Sequence, residues 1–183
     1  MTNETISSII LIVLGWFLGL ISSIVLFWIQ EKRDARKEAL RQRQEDIRAA
    51  RNWAADGKKI SLRGFDLTDA NLSGKDLSPA DLEDAILEGA KMWSTDLSGA
   101  NLIRANFRKA KMIGAKFIGA NLTLADFSDA ILGECNFTEA RFKRTKLKQA
   151  KTIDNCIWRS IQIDETTELT DELRQQIEKS QAA

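Results

Sequence analysis

A period of five residues dominates the middle of this chain. Stepping by five from Leu62 to Leu147 gives 18 consecutive positions, all apolar: eleven Leu, five Phe and two Met. Two residues before these centres, 12 of the 18 positions are Ala, and one residue before them ten are Asp or Asn. Neither regular element accommodates this period. In an α-helix five residues advance about 500°, so the centres would march around the whole circumference. In a flat strand an odd period sends successive centres to opposite faces. The backbone must therefore turn by a constant angle in each unit, keeping the centres and the Ala positions inward. That describes a coiling solenoid whose turns bond only to their neighbours.

The units, such as Ala70-Asn71-Leu72 and Ala125-Asp126-Phe127, resemble the pentapeptide repeat family, whose pattern is Ala-(Asp/Asn)-Leu-x-x. The resemblance covers residues 60–149. It implies an all-β solenoid, a right-handed quadrilateral β-helix with about 20 residues per coil and a rod of roughly 22 Å at β-strand spacing. One 20-residue column at the Ala position reads Lys75, Thr95, Ala115, Cys135, Asn155, which gathers four of the seven non-Ala residues found there. The Asp and Asn of the pattern are expected to satisfy backbone groups at turns. Lys75 is expected to turn its ammonium out of the first coil.

Both ends of a solenoid need covers. On the N-terminal side, Ile6 to Ile29 carry no charge and are mostly apolar, enough as a helix to cross a bilayer. The preceding MTNET has no Lys or Arg, and the run exceeds a signal-peptide h-region, so a retained transmembrane helix is expected. Lys32, Arg33, Arg36, Lys37, Arg41 and Arg43 follow it, with nothing basic before it. The positive-inside rule then places the N-terminus outside and the repeat in the cytoplasm, at a bacterial plasma membrane or a thylakoid membrane. Gly15 and Gly19 form a GxxxG, with Ser8 and Ser22 on roughly the same face, and are candidates for self-association. Residues 30–56 read as a solvated helical neck stopped at Gly57, whose Trp53 is placed to cover the first coil. After Thr152 the pattern decays into an irregular last coil with Ile157, Trp158, Ile161 and Ile163, and Thr170-Asp171-Glu172 opens a C-terminal capping helix. The expected organisation is a transmembrane anchor at 1–29, a neck at 30–56, a β-helix at 57–159 and a cap at 160–183.

Little catalytic chemistry is available. The chain has no His and no Tyr, which excludes His-dependent triads and His metal ligands. Its two cysteines are too few for a Cys-only zinc site, and both are expected to be reduced packing residues. No phosphate loop or nucleophile–base pair is evident, so no catalytic residue, metal or cofactor is assigned. Charge is more informative. Residues 60–99 hold three basic and eight acidic side chains, net -5, while residues 100–149 hold ten and four, net +6. The densest basic run is Arg141, Lys143, Arg144, Lys146 and Lys148. Trp93 and Ile113 are apolar at outward positions 20 residues apart, and Ile131 falls in the same region of a 20-residue coil. These three are the candidate partner-binding patch.

The expected function is a non-enzymatic, membrane-tethered interaction module presenting a rigid β-helix to a protein partner, such as a membrane complex. Within the resembled family, quinolone-resistance proteins mimic duplex DNA and bind gyrase. That alternative calls for a strongly acidic rod, whereas residues 60–149 are net +1. A self-assembling structural membrane protein is the other alternative. Direct nucleic-acid binding is disfavoured, because Phe142, the one aromatic of the basic run, occupies an inward centre.

Overall fold

The computed structural model describes residues 3–58, 60–151 and 153–181, with side chains from Leu14 onward, so Ser8's side chain and Thr152 lie outside the described residues. It comprises two compact units, Met1–Gln42 and Arg43–Ala183. Helix α1 (Asn3–Asn52) supplies most of the first. From Leu14 to Ile29 its side chains are all exposed, and the helix is long and apolar enough to cross a membrane. With no Pro and no charge in this stretch, its backbone polar groups bond within the helix and leave an apolar exterior.

The helix ends at Asn52, five residues before the stop expected at Gly57. Trp53 turns inward instead: it is buried, and its indole N–H donates to the Ile60 carbonyl at 2.8 Å. Gly57, at φ 76°, belongs to the turn that follows, in which the Lys58 amide returns to the Trp53 carbonyl.

In the second unit, parallel backbone pairing recurs at 20-residue steps. The pairs Asp66–Ile86, Asn71–Lys91, Asp76–Asp96 and Asp81–Asn101 start four columns that climb the repeat. Each coil therefore holds four five-residue units. Among the described residues extended strand is scarce, limited to β1 (Arg141–Phe142) and β2 (Gln162–Ile163), because each five-residue repeat turns after contributing one paired residue. In the first five-residue repeat the Leu62 amide reaches up to the Asp81 carbonyl at 2.9 Å, and the Leu62 carbonyl accepts the Phe65 amide at 3.2 Å, closing the turn. The second residue after the centre has positive φ in 16 of the 18 units, which sets the constant angle the period demands. All ten Asp and Asn preceding a centre accept the backbone N–H two residues on, as Asp76 does from Ser78 at 2.9 Å.

All 18 centres are buried. In the upper coils they form aromatic stacks: Phe107 on Phe127 with centroids 4.9 Å apart, and Phe117 on Phe137 on Trp158 at 5.0 and 4.6 Å. Offset stacking adds to the area these rings bury. Lys75 is exposed, and Thr95, Cys135 and Thr145 are buried at Ala positions. Each of those three donates to a centre's carbonyl 23 residues earlier, which satisfies its polar atom.

The first coil lacks a coil beneath it, and the end of α1 with the turn that follows takes that place. Arg43, Arg51 and Lys58 donate to the carbonyls of Thr68, Asn71 and Ser78, and Asp46 accepts the Asp66 amide at 3.0 Å. At the other end the register slips. Ile131 pairs with Lys151 at a step of 20, Asn136 with Ile157 at 21, and Lys146 with Glu168 at 22. Asn155, expected inward, is exposed, and the inserted residue brings Cys156 to the inward place instead. Thr170 accepts the Leu173 amide at 3.2 Å to cap α2 (Asp171–Gln181), and Leu173 and Ile177 bury one face of that helix.

Candidate interaction surface

The outward positions flanking each centre form four vertical columns, named here by their lowest centres, Leu62, Leu67, Leu72 and Leu77. Ion pairs between coils neutralise much of three of them. Arg104 Nε lies 2.6 Å from Asp84 and Lys109 Nζ 2.9 Å from Glu88, and Lys116 reaches Asp96. The Arg104 guanidinium holds the Asp84 carboxyl below its usual range, and the Lys109 ammonium does the same for Glu88. Asp126 sits between Arg108 at 3.5 Å and Lys146 at 3.9 Å. Burial pushes its carboxyl up, but the Ser128 hydroxyl and amide with both cations outweigh that and leave it lowered. The opposite net charges of the lower and upper coils thus meet at their shared boundary.

The Leu72 column differs. Its outward residues are Asn71 and Ser73, Lys91 and Trp93, Lys111 and Ile113, Ile131 and Gly133, then Lys151, whose ammonium reaches sideways to Asp129 of the Leu67 column. Trp93 is 49% exposed and Ile113 42%. They occupy equivalent positions in adjacent coils, because the Gly74 amide bonds the Trp93 carbonyl and the Ser94 amide bonds the Ile113 carbonyl at 3.0 Å. Ile131 is half-buried and pairs through its backbone with Lys111, beside Ile113. Among the described residues neither Lys91 nor Lys111 pairs with a carboxylate. The three apolar residues therefore share one column, framed by two cations. Sequence reasoning missed these lysines, although Lys at both 91 and 111, where the repeat favours Asp or Asn, was a readable signal.

The basic run divides between columns. Lys146 pairs with Asp126, whereas among the described residues the side chains of Arg141, Lys143, Arg144 and Lys148 form no ion pair, and Arg144 meets a carboxylate only through its amide, which donates to Asp164 at 3.2 Å. In the first unit Gly15 and Gly19 are exposed with open space around them, and Ser23 donates to the Gly19 carbonyl at 2.9 Å.

The pentapeptide repeat model matches residues 60–93, 85–123 and 120–151, with eight copies. Among solved structures, a pentapeptide repeat protein (Rfr23) from the cyanobacterium Cyanothece 51142 is 27% identical with a TM-score of 0.50, over 52% of this chain and 64% of that one. HetL, a pentapeptide repeat protein involved in heterocyst differentiation regulation from the cyanobacterium Nostoc sp. strain PCC 7120, is 25% identical with a TM-score of 0.34, over 60% of this chain and 53% of that one. QnrB1, a plasmid-mediated fluoroquinolone resistance protein, is 18% identical with a TM-score of 0.33, over 65% of this chain and 84% of that one. This chain thus spans less than two thirds of the length of the first two. No curated protein matches it. The five-residue units, the 20-residue pairing and a family match across half of the chain agree, and the protein belongs to the pentapeptide repeat family.

Proposed function

We propose that the protein is a non-enzymatic, membrane-tethered interaction module. Residues 1–29 anchor it, residues 30–56 link the anchor to the repeat, residues 57–159 form a right-handed quadrilateral β-helix on the cytoplasmic side, and residues 160–183 cap it. The working surface is the Leu72 column, and its partner is a protein bearing an acidic, partly apolar face. The observation that carries this reading is the grouping of Trp93, Ile113 and Ile131 with Lys91 and Lys111, which pair with no carboxylate among the described residues. An exposed tryptophan beside isoleucine on a rigid scaffold is the kind of anchor that dominates interfaces, and it loses little entropy on binding. The lysines steer an acidic partner and fix its register.

A DNA-mimic role is less well supported, since Arg104, Lys109, Lys116 and Lys146 pair with carboxylates that a mimic would present freely. Gly15 and Gly19 are where two anchors would meet if the protein self-associates. The test is crosslinking in native membranes from Ile113, compared with the same probe at Thr123 in the Leu62 column. A protein adduct from position 113 alone supports the reading, and equal labelling from both sites removes the surface.

A further inference from the structure

Cys135 and Cys156 lie 21 residues apart, a spacing that would separate them in an unbroken 20-residue coil. The register slip brings them together. Asn136 pairs with Ile157, and the Ile157 amide donates to the Cys135 carbonyl at 2.9 Å, so the residue preceding each paired position is a cysteine. Both occupy the inward place that Ala fills in most units. The Cys135 thiol donates to the Met112 carbonyl at 2.9 Å and the Cys156 thiol to the Leu132 carbonyl at 2.8 Å, so the two point the same way in successive coils. Neighbouring coils stack at about 4.8 Å, within the roughly 4.4–6.8 Å that separates the Cα atoms of bridged cysteines. Cys135 is fully buried, whereas Cys156, in the last coil, is partly accessible.

We propose that Cys135 and Cys156 are a redox-responsive dithiol that closes to a disulfide on meeting a low-molecular-weight disulfide, tying the slipped last coil to the coil beneath. The Cys156 thiolate attacks the oxidant's sulfur, forming a mixed disulfide and expelling one thiolate. The Cys135 sulfur then attacks the Cys156 sulfur and expels the second. Two protein thiols are oxidised, one disulfide is reduced to two thiols, and the protons of Cys135 and Cys156 pass to the departing thiolates. The asymmetry suits this order. The neighbouring Cys156 sulfur, with burial, pushes the Cys135 thiol up, and the same neighbour contact draws the Cys156 thiol down. In a reducing compartment the pair rests open.

The test uses the full chain in detergent, incubated with oxidised glutathione, then denatured and alkylated with N-ethylmaleimide. Wild type is expected to lose about 2 Da and take up no maleimide until reduced, with a melting temperature raised by roughly 5–10 °C. Cys135→Ala, which installs the residue most units carry there, is expected to retain a glutathione adduct on Cys156. Full maleimide labelling of wild type, or a lasting glutathione adduct on its Cys156, overturns the proposal.

Discussion

Arg51 Nε donates to the carbonyl oxygen of Asn71 at 3.1 Å, across the same 20-residue step that separates paired residues inside the repeat. Lys58 to Ser78 and Asp46 to Asp66 span that step as well. The last turns of α1 and the turn that follows it thus supply, with side chains, the donors and acceptor a coil below would supply with backbone. Asp46 is buried and Arg51 exposed, so their loss should differ in cost. Asp46→Ala is expected to destabilise the repeat by about 2 kcal/mol and Arg51→Met by under about 1 kcal/mol. Denaturant unfolding of the full chain in detergent measures both, and equal effects would refute this cap.

Phe117 stacks on Phe137 at 5.0 Å and meets Phe107 and Phe127 edge-on at 6.0 and 6.2 Å. Phe117→Ala opens a cavity in a close-packed column, with an expected loss of about 4 kcal/mol. A loss below about 2 kcal/mol in the same unfolding assay would mean that the coils collapse around the gap.

At Gly89, φ is 68° and a Cβ would lie 2.4 Å from Asp69 Oδ1, whereas Gly64, at φ 70°, has open space. Gly64→Ala carries only the left-handed penalty, about 1 kcal/mol. Gly89→Ala must also displace the Asp69 carboxylate, so a larger loss is expected. Thermal melts of the two variants side by side check the order, and the reverse order would contradict the close approach.

Lys58 Nζ lies 2.9 Å from Asp76, and that contact, with the Ser78 hydroxyl and amide, lowers the carboxyl from 3.8 to about 2. A depressed carboxylate pKa stabilises the fold above the unfolded value and loses that contribution as pH falls from about 3.8 through about 2. Lys58→Met should therefore melt below wild type near neutral pH, and the gap should narrow under acid, leaving the part that the Ser78 carbonyl bond contributes. Melts from pH 7 down to about pH 2 test this, and a gap of unchanged size in acid would assign the loss to contacts that do not titrate, the Lys58 bond to the Ser78 carbonyl and packing.

The repeat was legible because its five-residue period is incompatible with helix and with flat strand, and because Leu, Ala and Asp recur at fixed offsets from Leu62 onward. Its 20-residue coil could be glimpsed only in the column from Lys75 to Cys135, since the coil length depends on a turn angle that composition does not encode. The cap was partly visible in Trp53. The roles of Arg43, Arg51 and Lys58 were hidden, because a basic residue after an apolar helix reads equally well as a topology signal. Asn155 was misplaced by one residue because insertions at the last coil leave no mark in the five-residue count. Trp93 and Ile113 stood out as apolar at outward positions, but whether a lysine is paired depends on its neighbours one coil away, which hid Lys91 and Lys111.

The most direct measurement is recovery of the position-113 crosslink after charge reversal of its frame. With the probe at Ile113 in native membranes, Lys91→Glu with Lys111→Glu is expected to reduce the adduct at least about tenfold, while Arg141→Glu with Lys143→Glu leaves it unchanged. An adduct that survives the first pair, or is lost equally with the second, would contradict the account.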